Sequence, residues 1–198
     1  MKLNNATQNP VFRGLFVGLV LLLGGCVTAA VGVIAVSSID LAKDDRTFGT
    51  LIDDNVVEAN ILKDIIADPK LDGNTHINVT VVNGVVLLTG EVAHDSQKFH
   101  AGDLANAYQG VDQVVNQLEK MDKSSMTTRS NDTYITAKVK TALIRNTDVN
   151  SSTFKVVTAR GVVYLMGVID PAQGDLAVND AKQVGGVVRI VKIFMTSS

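Results

Sequence analysis

The sequence predicts an α+β protein made of two tandem modules behind an N-terminal export segment. Each module has the order helix, strand, strand, helix, strand, with a mixed three-stranded sheet packed by two helices. Three observations predict this. The chain repeats itself at a spacing of 76 to 78 residues. Within each copy the apolar positions recur first at helical and then at strand spacing. The chain of 198 residues is 46% apolar, only 5% aromatic and free of tryptophan, which suits small layered cores of Val, Ile, Leu and Ala and excludes disorder throughout.

Residues 1–25 read as an export signal. Lys2 and Arg13 supply positive charge, Leu15 to Leu23 forms a short apolar core, and Gly24-Gly25 places small residues before Cys26. That core is too short to span a bilayer comfortably. Leu23-Gly24-Gly25-Cys26 resembles the bacterial lipobox, which implies a signal peptide removed before Cys26 and a cysteine carrying covalent lipid, diacylglycerol on sulfur and an acyl chain on nitrogen. The residue after it, Val27, is not the aspartate that marks retention in the inner membrane, so the resemblance implies the outer membrane. With this lipidation used, a single cysteine has no other role to explain. A second reading stays open: Val11 to Ile39 as one uncleaved membrane helix, weakened by Gly24-Gly25 and Ser37-Ser38. On the lipobox reading residues 26–50 are an acylated tether.

The first module is expected over residues 51–120 and the second over 132–198, joined by a connector at 121–131 rich in Ser, Thr, Asp and Lys. Val57, Ile61 and Ile65 in the first copy match Ile135, Val139 and Leu143 in the second, an apolar stripe at helical spacing. Asp132 or Thr133 is placed to cap the second of these helices, which ends near Asn146. Asn83-Gly84 and Arg160-Gly161 join two Val-rich strands in each copy, and Asn-Gly is a strong tight-hairpin signal. Asp170-Pro171 supplies a cap and a first-turn proline to a helix carrying Ala177, Val178 and Ala181, followed by a strand from Val187 to Phe194. A helical crossover favours a parallel pairing of the last two strands. Met121 and Met126 are candidates to pack between the modules.

The Gly-bounded, Val-rich hairpins, Gly84 to Gly90 and Gly161 to Gly167, each followed by a helix and a Gly-Val strand start, resemble the BON domain. Two such copies behind a lipobox, covering nearly all of the mature chain, are similar to the tandem-BON lipoproteins of the outer membrane. The resemblance implies phospholipid binding with a preference for anionic lipid through the second module, a periplasm-facing position, and a role in envelope integrity and at division sites.

The duplication also acts as an internal control, because function should appear where the copies differ. Tyr134, Lys138, Thr141 and Arg145 form a narrow stripe on the first helix of the second copy, where the first copy has Val56, Asn60, Lys63 and Ala67. Tyrosine sits at headgroup depth, and Lys or Arg meets phosphate while its stem lies on apolar matter, so this stripe is the candidate phospholipid-binding site. Its alternative is a tyrosine covering a helix start beside a solvated basic face. Net charge is −2 overall, yet Asp54 to Lys120 holds ten acids against four lysines and Asp132 to Ser198 holds five acids against eight Lys or Arg. The acidic first module is repelled by an anionic surface and suits a protein partner such as outer-membrane assembly machinery, which is the scaffold alternative.

His76, His94 and His100 lack a second ligand cluster with metal spacing and read as ordinary surface histidines. No nucleophile elbow or phosphate loop is present, so neither an enzyme, a cofactor, a metal, a small-molecule substrate nor a nucleic-acid partner is expected.

Overall fold

The computed structural model describes residues 48–195, and Cys26 with the rest of the export segment and tether lies outside them. Ten main elements follow in the expected order: α1 (Phe48–Ala67), β1 (His76–Val82), β2 (Val85–Val92), α2 (Asp95–Asn106), β3 (Gln113–Lys120), α3 (Met126–Arg145), β4 (Lys155–Ala159), β5 (Val162–Val168), α4 (Pro171–Lys182) and β6 (Arg189–Met195). The sheets have the orders β1-β2-β3 and β4-β5-β6. In each, the first pair is antiparallel and the second parallel, as the helical crossovers require. No described helix is long and apolar enough to cross a membrane.

Each hairpin turns through two residues with positive φ, Asn83 and Gly84 in the first module, Arg160 and Gly161 in the second. This left-handed pair matches the twist of the flanking strands. An aspartate from the preceding helix holds it. Asp54 accepts from the amides of Asn83 and Gly84 at 2.6 and 3.0 Å, and Asp132 accepts from Arg160 and Gly161 at 2.8 and 2.9 Å. Both carboxylates are buried. Asp132 is therefore not a helix cap, as the sequence suggested, and neither is Thr133. The helix begins at Met126, with Ser125 accepting from the Thr128 amide at 3.1 Å. Half of the expected connector is thus helix, because a run of Ser, Thr and Asn with weak helical propensity conceals a sound cap. At α4 the structure agrees with the sequence: Asp170 accepts from the Ala172 amide at 2.9 Å, ahead of Pro171.

Every residue of β2 is buried, and so is the middle of β5, which means both faces of each sheet are covered. One face meets the module's own helices. Ile61, Ile65, Val86, Leu88, Ala101 and Leu118 form the first of these cores, and Ile135, Val139, Leu143, Val163, Leu165 and Ala177 form the second. The other face meets the sister sheet. Val82, Val85 and Leu87 join Tyr164 and Met166 in one buried cluster, flanked by Val115, Val191 and Ile193. The modules therefore stack sheet to sheet with their helices outermost. Full burial of side chains of this size contributes roughly 1.5–3 kcal/mol each. Met121 and Met126 do not make this joint, being 37% and 71% exposed.

Replacing Asp132 by Ala leaves two turn amides without an acceptor and is expected to destabilise the protein by roughly 2–3 kcal/mol. Asp132→Asn, which keeps one acceptor oxygen, should lose less, as read from urea unfolding midpoints.

Candidate functional site

On α3 the residues Asp132, Ile135, Val139 and Leu143 are buried against the sheet. Helical geometry then turns Tyr134, Thr141 and Arg145 outward, and all three are exposed, Tyr134 by 62%. The ammonium of Lys138 lies 4.6 Å from the centroid of the Tyr134 ring and donates to the carbonyl of Gly185, in the loop between α4 and β6. The ring quadrupole and the carbonyl together hold this cation in place. Thr141 donates to the Ala137 carbonyl at 2.8 Å, so its hydroxyl is satisfied within the helix. Arg145 stands in the last turn, where a cation is favoured by the helix dipole. The structure thus brings Tyr134 and Lys138 together and leaves Thr141 and Arg145 further along the same exposed face.

The corresponding face of the first module is organised differently. Tyr108 donates to the carbonyl of Asn60 at 3.2 Å and to the carboxylate of Asp64. The Asp64 hydrogen bond pushes the Tyr108 phenol up to about 12. An aromatic ring is present there too, but it is tied to a carboxylate rather than to a cation.

Sequence reasoning missed the seat of Lys138 on Gly185, a contact 47 residues away along the chain, and the neighbouring Val188, which is 77% exposed. It also missed a polar joint between the modules. Glu91, 2% exposed, accepts from Arg160 Nε at 2.7 Å and from the Ser124 amide and hydroxyl at 3.2 and 3.0 Å. Arg160 donates further to the Asp122 carbonyl at 2.6 Å. Burial would raise the Glu91 carboxyl, but the bonds from Arg160 and Ser124 outweigh it and hold the group below its ordinary range. His76 places Nδ1 3.3 Å from this carboxylate without a hydrogen bond. Burial drives the His76 imidazole down against the pull of Glu91, so it is neutral at pH 7. It is therefore a half-buried group at the start of β1 rather than a surface histidine. His100 pairs with Asp68 at 2.6 Å, and His94 is exposed. Among the described residues no group of three or more His, Cys, Asp or Glu could hold a metal ion.

The fold and its duplicated hairpins define a tandem α+β protein of two like modules, and the chain belongs to the BON domain family, which it matches over residues 53–119 and 131–193. Among curated relatives it is similar to the outer membrane lipoprotein DolP of Haemophilus influenzae, 32% identical over 95% of this chain and 97% of that one. It is also similar to a 21 kDa hemolysin of Actinobacillus pleuropneumoniae, 35% identical over 76% and 77% of the two chains. The osmotically-inducible protein Y of Escherichia coli is 34% identical over 70% of each. The expected tandem-BON architecture and the likeness to an outer-membrane lipoprotein are both met.

Because the folded state depresses the His76 pKa, the unfolded chain binds more protons below roughly pH 6.5, and stability falls as pH drops through that range. Glu91, also depressed, adds its own loss at lower pH, once the carboxylate protonates. His76→Gln should lessen the drop in urea midpoint between pH 7 and pH 5.5. An undiminished drop would place its cause elsewhere.

Proposed function

We propose that this protein is a lipid-anchored envelope protein of the outer membrane that binds anionic phospholipid through its second BON module and has no catalytic role. On this reading acylated Cys26 supplies the anchor, and the chain faces the periplasm and supports envelope integrity, including at division sites. The observation that carries the reading is the exposed Tyr134 ring with the Lys138 ammonium held over it, on a module whose sister lacks both. Relatives named for the outer membrane and for hemolysis support contact with a membrane.

The energetics divide the work between anchor and module. Buried acyl methylenes contribute about 0.8 kcal/mol each, so more than one chain gives stable attachment. A basic residue near an anionic surface contributes roughly 1 kcal/mol, so Lys138 and Arg145 select among lipids rather than hold the protein. Lys138 donates to the Gly185 carbonyl beside the ring, and Tyr134 offers an amphipathic ring suited to headgroup depth.

A scaffold reading draws on the first module, where Phe99 and Ile66 are exposed on an acidic surface that suits a protein partner such as outer-membrane assembly machinery. Vesicle co-sedimentation separates the two. Residues Asp44–Ser198 form one compact unit and serve as the soluble test protein. Binding to anionic vesicles that weakens with salt and is lost in Tyr134→Glu, with thermal unfolding unchanged, supports lipid binding. Equal binding by Tyr134→Glu removes the site, and no binding by the parent favours the scaffold.

A further inference from the structure

Beside β1 and β4, which are edge strands of their sheets, runs a groove of about 370 Å³. Val156 to Ala159 of β4 form one wall, Asn78 of β1 stands on the other, and Arg129 and Thr136 line it from α3. β4 has β5 on one side and no strand on the other. Thr158 pairs with Val163 as Val81 pairs with Val86, one position before the pair that closes each hairpin. At alternate positions of an antiparallel ladder the amide and carbonyl turn away from the neighbouring strand, so Val156 and Thr158 present both at the open edge. Among the described residues no group accepts from either amide.

The sister module shows what such an amide takes. Glu58 of α1 accepts from the Val81 amide at 2.9 Å. At the matched spacing of 78, Glu58 corresponds to Thr136, which donates instead to the Thr158 hydroxyl at 2.7 Å. The second module thus has the amide without the carboxylate. It also has a cation close by, since Arg129 stands where the first copy has Leu51 and makes no ion pair among the described residues. The two carboxylates that line the groove are already held, Asp132 by the hairpin amides and Glu91 by Arg160 and Ser124. In the first module Asp54 holds its hairpin one turn from Glu58, so the fold accommodates a second carboxylate beside the hairpin aspartate.

We propose that this groove docks an extended acidic peptide segment of a partner protein, which adds a strand to the edge of β4 and sets a carboxylate on the Thr158 amide, as Glu58 is set on Val81 within the first module. Main-chain pairing at Val156 and at the Thr158 carbonyl supplies affinity. The carboxylate supplies selectivity, because it meets both a backbone donor and the Arg129 guanidinium. Val156 to Ala159 offer roughly 13 Å of strand, so the site reads a short segment. Asn78 faces that segment from the other wall with a side chain that can both donate and accept. The groove does not include Tyr134, so the inference goes beyond the lipid reading and stands apart from it.

The test uses amide NMR on the compact unit Asp44–Ser198, titrated with the blocked peptide acetyl-Thr-Val-Glu-Val-Thr-amide, with the same peptide carrying Gln for Glu, and with acetate at matched ionic strength. Saturable shifts at Val156, Thr158 and Asn78 are expected with the Glu peptide, with affinity at least about fivefold weaker for the Gln peptide and for the Arg129→Gln protein. Thr136→Glu gives the second module the carboxylate that the first one carries, so it is expected to fold, to cover the Thr158 amide and to abolish binding of the Glu peptide. Thermal unfolding of that variant checks its fold, and Arg129→Gln decides the matter if the fold is lost. Equal affinity for the Glu and Gln peptides would overturn the proposal, as would undiminished binding by a folded Thr136→Glu. Acetate binding as tightly as the peptide would reduce the groove to an anion site, and an absence of shifts in the groove would remove it; either overturns the proposal. Vesicle binding and its loss in Tyr134→Glu are decided separately from all of these.

Discussion

Leu87 in the first sheet and Tyr164 and Met166 in the second share one buried cluster, and the rest of the molecule is arranged around that apolar contact. A three-stranded sheet with helices on one side leaves its other side to be covered, and here each module covers the other. Burial at the joint is deep enough to raise the Tyr164 phenol above its ordinary value. The helices are left outermost, and for that reason Tyr134 and Lys138 stand on the surface instead of within the joint. The buried Glu91, bonded to Arg160 and to Ser124, adds directional bonds to an otherwise non-directional contact. Removing one partner of such a buried ion pair leaves an uncompensated charge in the joint.

Duplication followed by divergence is visible residue by residue. What the fold needs is kept in both copies: the aspartate that holds the hairpin, the positive-φ turn, and the glycine following the β2 and β5 apolar runs. At Gly90 the reason is steric, because a side chain there would collide with the His76 carbonyl. Other positions differ between the copies. Asn83, a residue that tolerates positive φ well, is replaced by Arg160, whose side chain reaches across to Glu91 and Asp122. Val56 has become Tyr134, and Asn106 and Gln113 have become Lys182 and Arg189.

Element order, hairpins, parallel pairing and the α4 cap were legible in the sequence because each rests on local chemistry: apolar period, turn residues, Asp-Pro. The start of α3 was not, since Thr127, Thr128, Ser130 and Asn131 carry little helical signal and the role of Asp132 is a contact made 28 and 29 residues away. The exposed face of α3 could be read from its period, which fixes the direction of Tyr134 once Ile135 and Val139 point inward. The seat of Lys138 could not, because it depends on a loop 47 residues further on. Continuous apolar runs such as Val85 to Leu88 hinted at strands covered on both faces, without revealing that the sister sheet is the cover.

The account places one face of one module at the lipid headgroup layer and withholds the equivalent face of the other. A chain without tryptophan allows a direct measurement. Tyr134→Trp and Val56→Trp each introduce a single fluorophore at matched positions of the two modules, and brominated anionic vesicles quench whichever enters the bilayer interface. The account predicts quenching of the fluorophore at position 134, with none at position 56. Equal quenching at both positions, or quenching at 56 alone, would contradict it.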